Sequence, residues 1–181
     1  MSVNAPDDIG TLLIDSLLTE HGIAPKEVSI NSNIPFPVAG PELGKNAINA
    51  SFVPEPFVSG FEEGAGTQEL ADLDQGSTTD FPIQGYAVTQ AWAQKYPNTL
   101  KAFQIALSQG QEIADTNRAA VEKAVEKYLA IPAPVAAFIS LPTFPLGVDA
   151  TRLQRVVSAM VRFGLLPTQD QSFRVSSMID G

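Results

Sequence analysis

Ile9, Leu12, Leu13 and Leu17 recur at helical spacing and predict a first helix with one apolar face. Asp7 and Asp8 precede it, and their short side chains suit the free N–H groups of a first turn. Gly22 predicts its end, with Pro25 just beyond. The period then changes. Val28 and Ile30 alternate with polar neighbours, as do Ile48, Ala50 and Phe52 around Asn49 and Ser51, and each run predicts a short strand. Ser2 to Asn4 reads as the tail of a strand that begins before the chain does. Phe36 to Asn46 is the connecting helix. Gly40 and Pro41 predict that it is short or broken, because proline lacks an N–H and clashes with the preceding turn. The order is β-α-β-α-β, the pattern of a parallel sheet.

A stretch rich in Gly, Asp, Ser and Thr follows from Gly60 to Asp80, and a boundary is expected near Gly76 to Asp80. Pro82 to Val88 reads as a strand. Beyond it the pattern is helical. Pro97 suits a helix start, with Leu100, Phe103, Leu107 and Ile113 as its stripe. Val121, Ala124, Val125, Tyr128 and Leu129 form a second stripe, ended by Pro132. Asp149 caps a last long helix with Leu153, Val156, Val157, Met160 and Phe163 inward and Gly164 at its end. The halves are unequal: a sheet with helices first, then about four amphipathic helices without a second sheet.

Composition narrows the function. Of 181 residues 44% are apolar and 17% charged, a globular balance. Eleven basic against twenty acidic residues give a net charge of −9, which disfavours nucleic acid and anionic membranes as partners. With no cysteine, disulfides, thiol catalysis and thiolate-held metals are excluded. No run reaches the roughly 18 apolar residues of a membrane span. The acidic opening, Met1 to Asp8, is not an export signal.

Several motifs fail on spacing. Gly40-Pro41-Glu42-Leu43-Gly44-Lys45-Asn46 has three residues between its glycines and no Ser or Thr after the lysine, so it is not a phosphate loop. Gly64-Ala65-Gly66 lacks the third glycine of a dinucleotide fingerprint. Asp72, Asp74 and Asp80 lack the remaining ligands of a calcium loop and read as a solvated acidic loop. His21, the one histidine, falls in the last turn of the first helix, where a cation suits the dipole, and no nucleophile elbow accompanies it. Arg152, Arg155 and Arg162 share one helix face, read as solvated or as a pairing surface for acidic loops or a partner protein.

Two segments carry more. Asn4 to Thr11 runs from strand to helix N-terminus, where exposed N–H groups and the dipole favour an anionic or polar ligand. Val53-Pro54-Glu55-Pro56-Phe57 follows the third strand and puts a carboxylate and an aromatic ring at the same carboxyl edge.

Val3-Asn4-Ala5-Pro6 with Ile9-Gly10-Thr11-Leu12-Leu13 resembles the opening of the second lobe in the nitrate/sulfonate/taurine class of ABC-transporter solute-binding proteins, a group that includes pyrimidine-precursor binders. Pro54-Glu55-Pro56-Phe57 resembles that family's Glu-Pro-Phe segment. Asp72 to Gly76 and Asp80 to Tyr86 resemble the strand that crosses back to the first lobe. Trp92-Ala93-Gln94-Lys95 and Pro97 to Phe103 resemble the helices that follow.

The resemblance implies an α/β fold of the type II periplasmic-binding-protein kind. Residues 1–78 would be the second, ligand-binding lobe. Residues 79–181 would be the crossover strand and the returning helices of the first lobe, whose N-terminal part is missing. Those helices would expose apolar faces that invite self-association. The implied ligand is small and polar or anionic (a sulfonate, nitrate, taurine or a pyrimidine), held by Asn4, Asp8, Ile9, Gly10, Thr11 and Glu55, with Phe81 near the hinge. The implied partner is an ABC permease, the location extracytoplasmic, and no cofactor, metal or catalysis is implied. Two alternatives remain: a remnant acting only in protein–protein association, and an enzyme like the pyrimidine-precursor synthases, whose sites are rich in histidine where this chain has one.

Overall fold

Ser2 stands between two parallel neighbours, bridged to Asn31 on one side and Ser51 on the other. Its N–H donates to the Ala50 carbonyl (3.0 Å) and its own carbonyl accepts from Phe52 N–H (2.9 Å). On the other side Asn31 N–H donates to Met1 O (2.8 Å) and Val3 N–H to Asn31 O (3.1 Å). Ser2 and Val3 are almost wholly enclosed. The three segments expected from sequence therefore lie in the order 31–2–51, all parallel, with 1–3 central. They pair as isolated bridges, not as long strands.

The computed structural model describes residues 1–179. Among them the helices are α1 (Ile9–Glu20), α2 (Phe36–Gly44), α3 (Phe57–Ala65), α4 (Gln90–Lys95), α5 (Pro97–Thr116), α6 (Arg118–Leu129), α7 (Ala133–Phe138) and α8 (Ala150–Arg162). Two units form: Met1–Pro82 with the segment from Ala150 onward, and Ile83–Asp149.

In the first unit α1 supplies the core, with Leu12, Leu13 and Ile14 buried. Asp8 caps it, and His21 closes it, with ring Nδ1 2.9 Å from the Leu17 carbonyl. Gly22 follows in the left-handed region, which glycine adopts without strain. Helix α2 is short, as expected, but runs through Pro41 unbroken. The carbonyl that Pro41 leaves without a donor is that of Pro37, an exposed residue, where water can serve it. Helix α3 falls where sequence predicted loop. Its Phe61 ring lies against Gly40, a glycine with no room for a Cβ. Phe52, Phe36, Phe57 and Phe61 form a run of ring contacts with centroids 6.2, 5.8 and 6.1 Å apart. Helix α8 carries the buried Val161 and holds the chain after it. Gln154 donates to Phe173 O (3.1 Å) and accepts from Val175 N–H (3.0 Å).

The second unit is helical. Thr89 caps α4 at Trp92 N–H (3.2 Å), and Asn117 caps α6 at Ala120 N–H (3.1 Å). Helix α5 begins at Pro97, as predicted. The Arg118 guanidinium binds Glu122 (2.8 Å) and the carbonyls of Ala137 (2.8 Å) and Ile139 (2.9 Å) at the end of α7, where a cation complements the dipole. Val135, Ala136 and Ile139 are its buried residues. The predicted apolar stripes are only partly covered. Ile113, Tyr128 and Leu129 are more than half exposed, as is Phe138.

One expected element does not form. Pro82 to Val88 takes no regular structure and bridges to no neighbour among the described residues, and Ile83, Tyr86 and Val88 are exposed. Apolar residues with β propensity make no strand when no adjacent strand accepts their hydrogen bonds.

Candidate functional site

The segment 1–3 leads directly into α1, and the parallel segment 50–52 leads into the Glu55 loop and α3. Parallel direction puts both exits at one carboxyl edge, the edge at which ligands bind in open α/β sheets. Gly10, in the first turn of α1, is buried against the Phe52 ring, and a Cβ there would stand 2.8 Å from the ring's Cγ. That contact ties the two exits together.

Asp8 organises the first exit. Its Oδ1 accepts from Thr11 N–H (2.9 Å) and the Thr11 hydroxyl (3.3 Å), and its Oδ2 accepts from Ala5 N–H (3.1 Å). The carboxylate therefore already meets the third N–H of the helix and brings negative charge to its positive end. The N–H groups of Ile9 and Gly10 are not met by Asp8. Asn4 is exposed beside this turn.

Glu55 organises the second exit. Its Oε1 accepts from the Ser59 hydroxyl (2.7 Å) and its Oε2 from Ser59 N–H (3.1 Å), so it caps α3. The Glu55–Pro56 peptide is cis. Phe57 and Phe52 both pack on Phe36, so an aromatic wall accompanies the two carboxylates. Phe57 is legible at this edge from the sequence, whereas Phe52 and Phe36 are not. Their pairing depends on the parallel register, which residue spacing does not reveal.

Phe81 lies elsewhere. The Arg155 guanidinium covers its ring at 4.9 Å and donates to Ser77 O (2.8 Å). Arg152 reaches Asp80 at 3.9 Å. The α8 arginine face thus pairs with the acidic loop of its own unit. Within that loop Asp72 accepts from Asp74 N–H (2.8 Å) and Asp74 from Asp80 N–H (2.6 Å), so its carboxylates hold backbone. Ser77 N–H donates to Glu20 (2.8 Å) at the far end of α1, and hydrogen bonding from the Ser77 side chain and then from this N–H holds the Glu20 carboxyl below its ordinary value. The Ser77 hydroxyl pairs with that of Ser16 (2.7 Å).

Two surface depressions lie away from the carboxyl edge. One, of about 400 Å³, is lined by Leu17, Leu18, His21, Ile23 and Leu70 beside the end of α1. The other, of about 370 Å³, runs along α8 between Phe81 and Phe163.

No helix among the described residues is long and apolar enough to cross a membrane. No curated protein and no solved structure shows significant similarity to this chain. A family model described as the NMT1-like family matches residues 2–130, from the parallel segments through α6. The match takes in the Asn4–Thr11 turn, Glu55 and Phe81, and on it the chain belongs to the NMT1-like family, solute-binding proteins of the nitrate/sulfonate/taurine ABC-transporter class with a periplasmic-binding-protein-like fold.

Proposed function

We propose that the chain captures a small polar solute at the carboxyl edge of its three parallel segments and delivers it to an ABC permease outside the cytoplasm. The observation that carries the reading is the convergence of two exits at that edge, joined by Gly10 against Phe52. The N–H groups of Ile9 and Gly10, the Asn4 side chain and the hydroxyl of Thr11 offer polar contacts. Glu55 and the Phe52–Phe36–Phe57 rings offer an acceptor and a flat apolar wall. In this reading residues 1–78 supply the lobe and the helices within Ile83–Asp149 are the returning ones, while α8, expected among them, packs in the same unit as the lobe. The role is binding, with no reaction.

Two carboxylates, Asp8 and Glu55, stand at this edge, which favours a ligand with its own donor. An amino-bearing sulfonate of the taurine kind, or an aminopyrimidine, suits it better than bare nitrate.

The test is a thermal melt of the full chain against taurine, an alkanesulfonate, nitrate, bicarbonate and hydroxymethylpyrimidine. A ligand that binds only the native state at a hundred times its Kd stabilises by about 2.7 kcal/mol. The expected result is a rise with one amino-bearing ligand that is lost in Glu55→Ala. A melt that none of the five moves overturns the reading. Pyridoxal phosphate absorbance retained on the purified protein would favour the synthase-like alternative.

A further inference from the structure

We propose that the groove along α8 is a second binding site, taking a small organic anion that carries a flat ring. Arg155 and Arg162 are seven residues apart, which places them on one helix face about 10.5 Å apart along the axis. Each guanidinium lies over an aromatic ring, Arg155 over Phe81 at 4.9 Å and Arg162 over Phe163 at 5.3 Å. A guanidinium held over a ring by cation–π attraction keeps N–H groups available for a carboxylate or sulfonate. Arg155 uses one N–H on Ser77 O, and a guanidinium has five. The groove between them, about 370 Å³, has Ala159 and the two rings as its apolar surface.

The neighbouring groups decide the ligand's charge. Arg152 is paired with Asp80 (3.9 Å) and does not define the groove. Glu20 is the carboxylate at its edge, bound to Ser77 N–H (2.8 Å) and close enough to Arg162 to feel its charge. In a chain of net charge −9, two arginines over rings, with Glu20 the exposed carboxylate that opposes them among the described residues, are a local excess of positive charge. The hydroxyls of Ser77 and Ser158 are engaged with Ser16 and with the Gln154 carbonyl, so the guanidinium edges carry recognition. A flat ring then packs on apolar surface that a bare sulfate would leave wet.

This site stands apart from the solute edge. It adjoins Glu20 at the end of α1, whereas Asp8 caps the start, and the twelve residues between span about 18 Å. Failure of the proposed solute reading would leave it untouched.

Binding of 4-toluenesulfonate and benzoate to the full chain, with inorganic sulfate for comparison, is followed by calorimetry and by amide and Arg Nε resonances. The expected result is binding of the aryl anions above sulfate, with shifts at Ser77 N–H and Arg155 Nε. Arg155→Gln with Arg162→Gln should weaken it by about tenfold or more, because charge-assisted bonds carry the anion. Glu20→Gln, which removes the opposing charge and keeps an acceptor for Ser77, should tighten it about two- to fivefold. That gain is not expected of a merely structural arginine face, and it needs no substitution of α8. Shifts confined to Gly10, affinity unchanged by Glu20→Gln, or no binding by either aryl anion overturns the proposal.

Discussion

The ring of Phe52 lies flush on Gly10, so this one side chain fills the space between the third parallel stretch and the first turn of α1. Gly10→Ala puts a Cβ into that ring and should destabilise the chain by about 1–3 kcal/mol, the usual range for overpacking. Gly64, inside α3, has nothing within 4 Å of where a Cβ would stand. Gly64→Ala should stabilise by about 0.5–1 kcal/mol through helix propensity. Urea unfolding of the two variants checks the opposite signs.

Glu20 and Asp15 should respond to pH in opposite directions. Hydrogen bonds from Ser77 lower the Glu20 pKa from 4.5, so its contribution is present above that value and lost as pH falls through the folded-state pKa. Glu20→Gln should melt lower than the parent at pH 7, and the gap should close in acid.

Asp15 is nearly buried on α1, and desolvation raises its pKa from 3.8. Its charged form opposes folding at neutral pH, and the penalty is relieved as pH falls through the raised value. Asp15→Asn should therefore raise the melting temperature at pH 7, with the gain shrinking in acid. A gain that is constant with pH would show that burial of charge is not the cause.

Arg118 joins α6 to the end of α7 through two carbonyls and Glu122. Arg118→Ala should destabilise the second unit by about 1–2 kcal/mol, as charge-assisted bonds in a partly exposed setting are lost. The single tryptophan, Trp92, belongs to this unit, so its fluorescence should show an earlier transition than far-ultraviolet circular dichroism of the whole chain.

A helix is legible in the sequence where a cap and a period agree. Asp8 before Ile9, Leu12 and Leu13 marks α1, whereas the strands expected at Val28–Ile30 and Ile48–Phe52 shrink to single bridges from Ser2 to Asn31 and Ser51. Helix α3 was missed because Gly60, Gly64 and the pair Glu62–Glu63 resemble a loop, while its tertiary partner, Gly40 under Phe61, is twenty-one residues away. The strand expected at Pro82 to Val88 does not form, since among the described residues no neighbouring strand completes it. The turn at Asn4–Thr11 and Glu55 were legible as strand exits. The α8 groove was not, because Phe81 and Arg155 meet only through the fold.

The chain leaves the first unit after Pro82 and returns to it at Ala150, and Arg152 and Arg155 meet Asp80, Phe81 and Ser77 across that detour. On a ribosome, α8 emerges only after the whole intervening helical unit. Until then Ser77 and Phe81 lack their guanidinium partners, and closing so long a loop slows the step that supplies them. The first unit should therefore mature late during synthesis, after the helices inserted within it have had time to form.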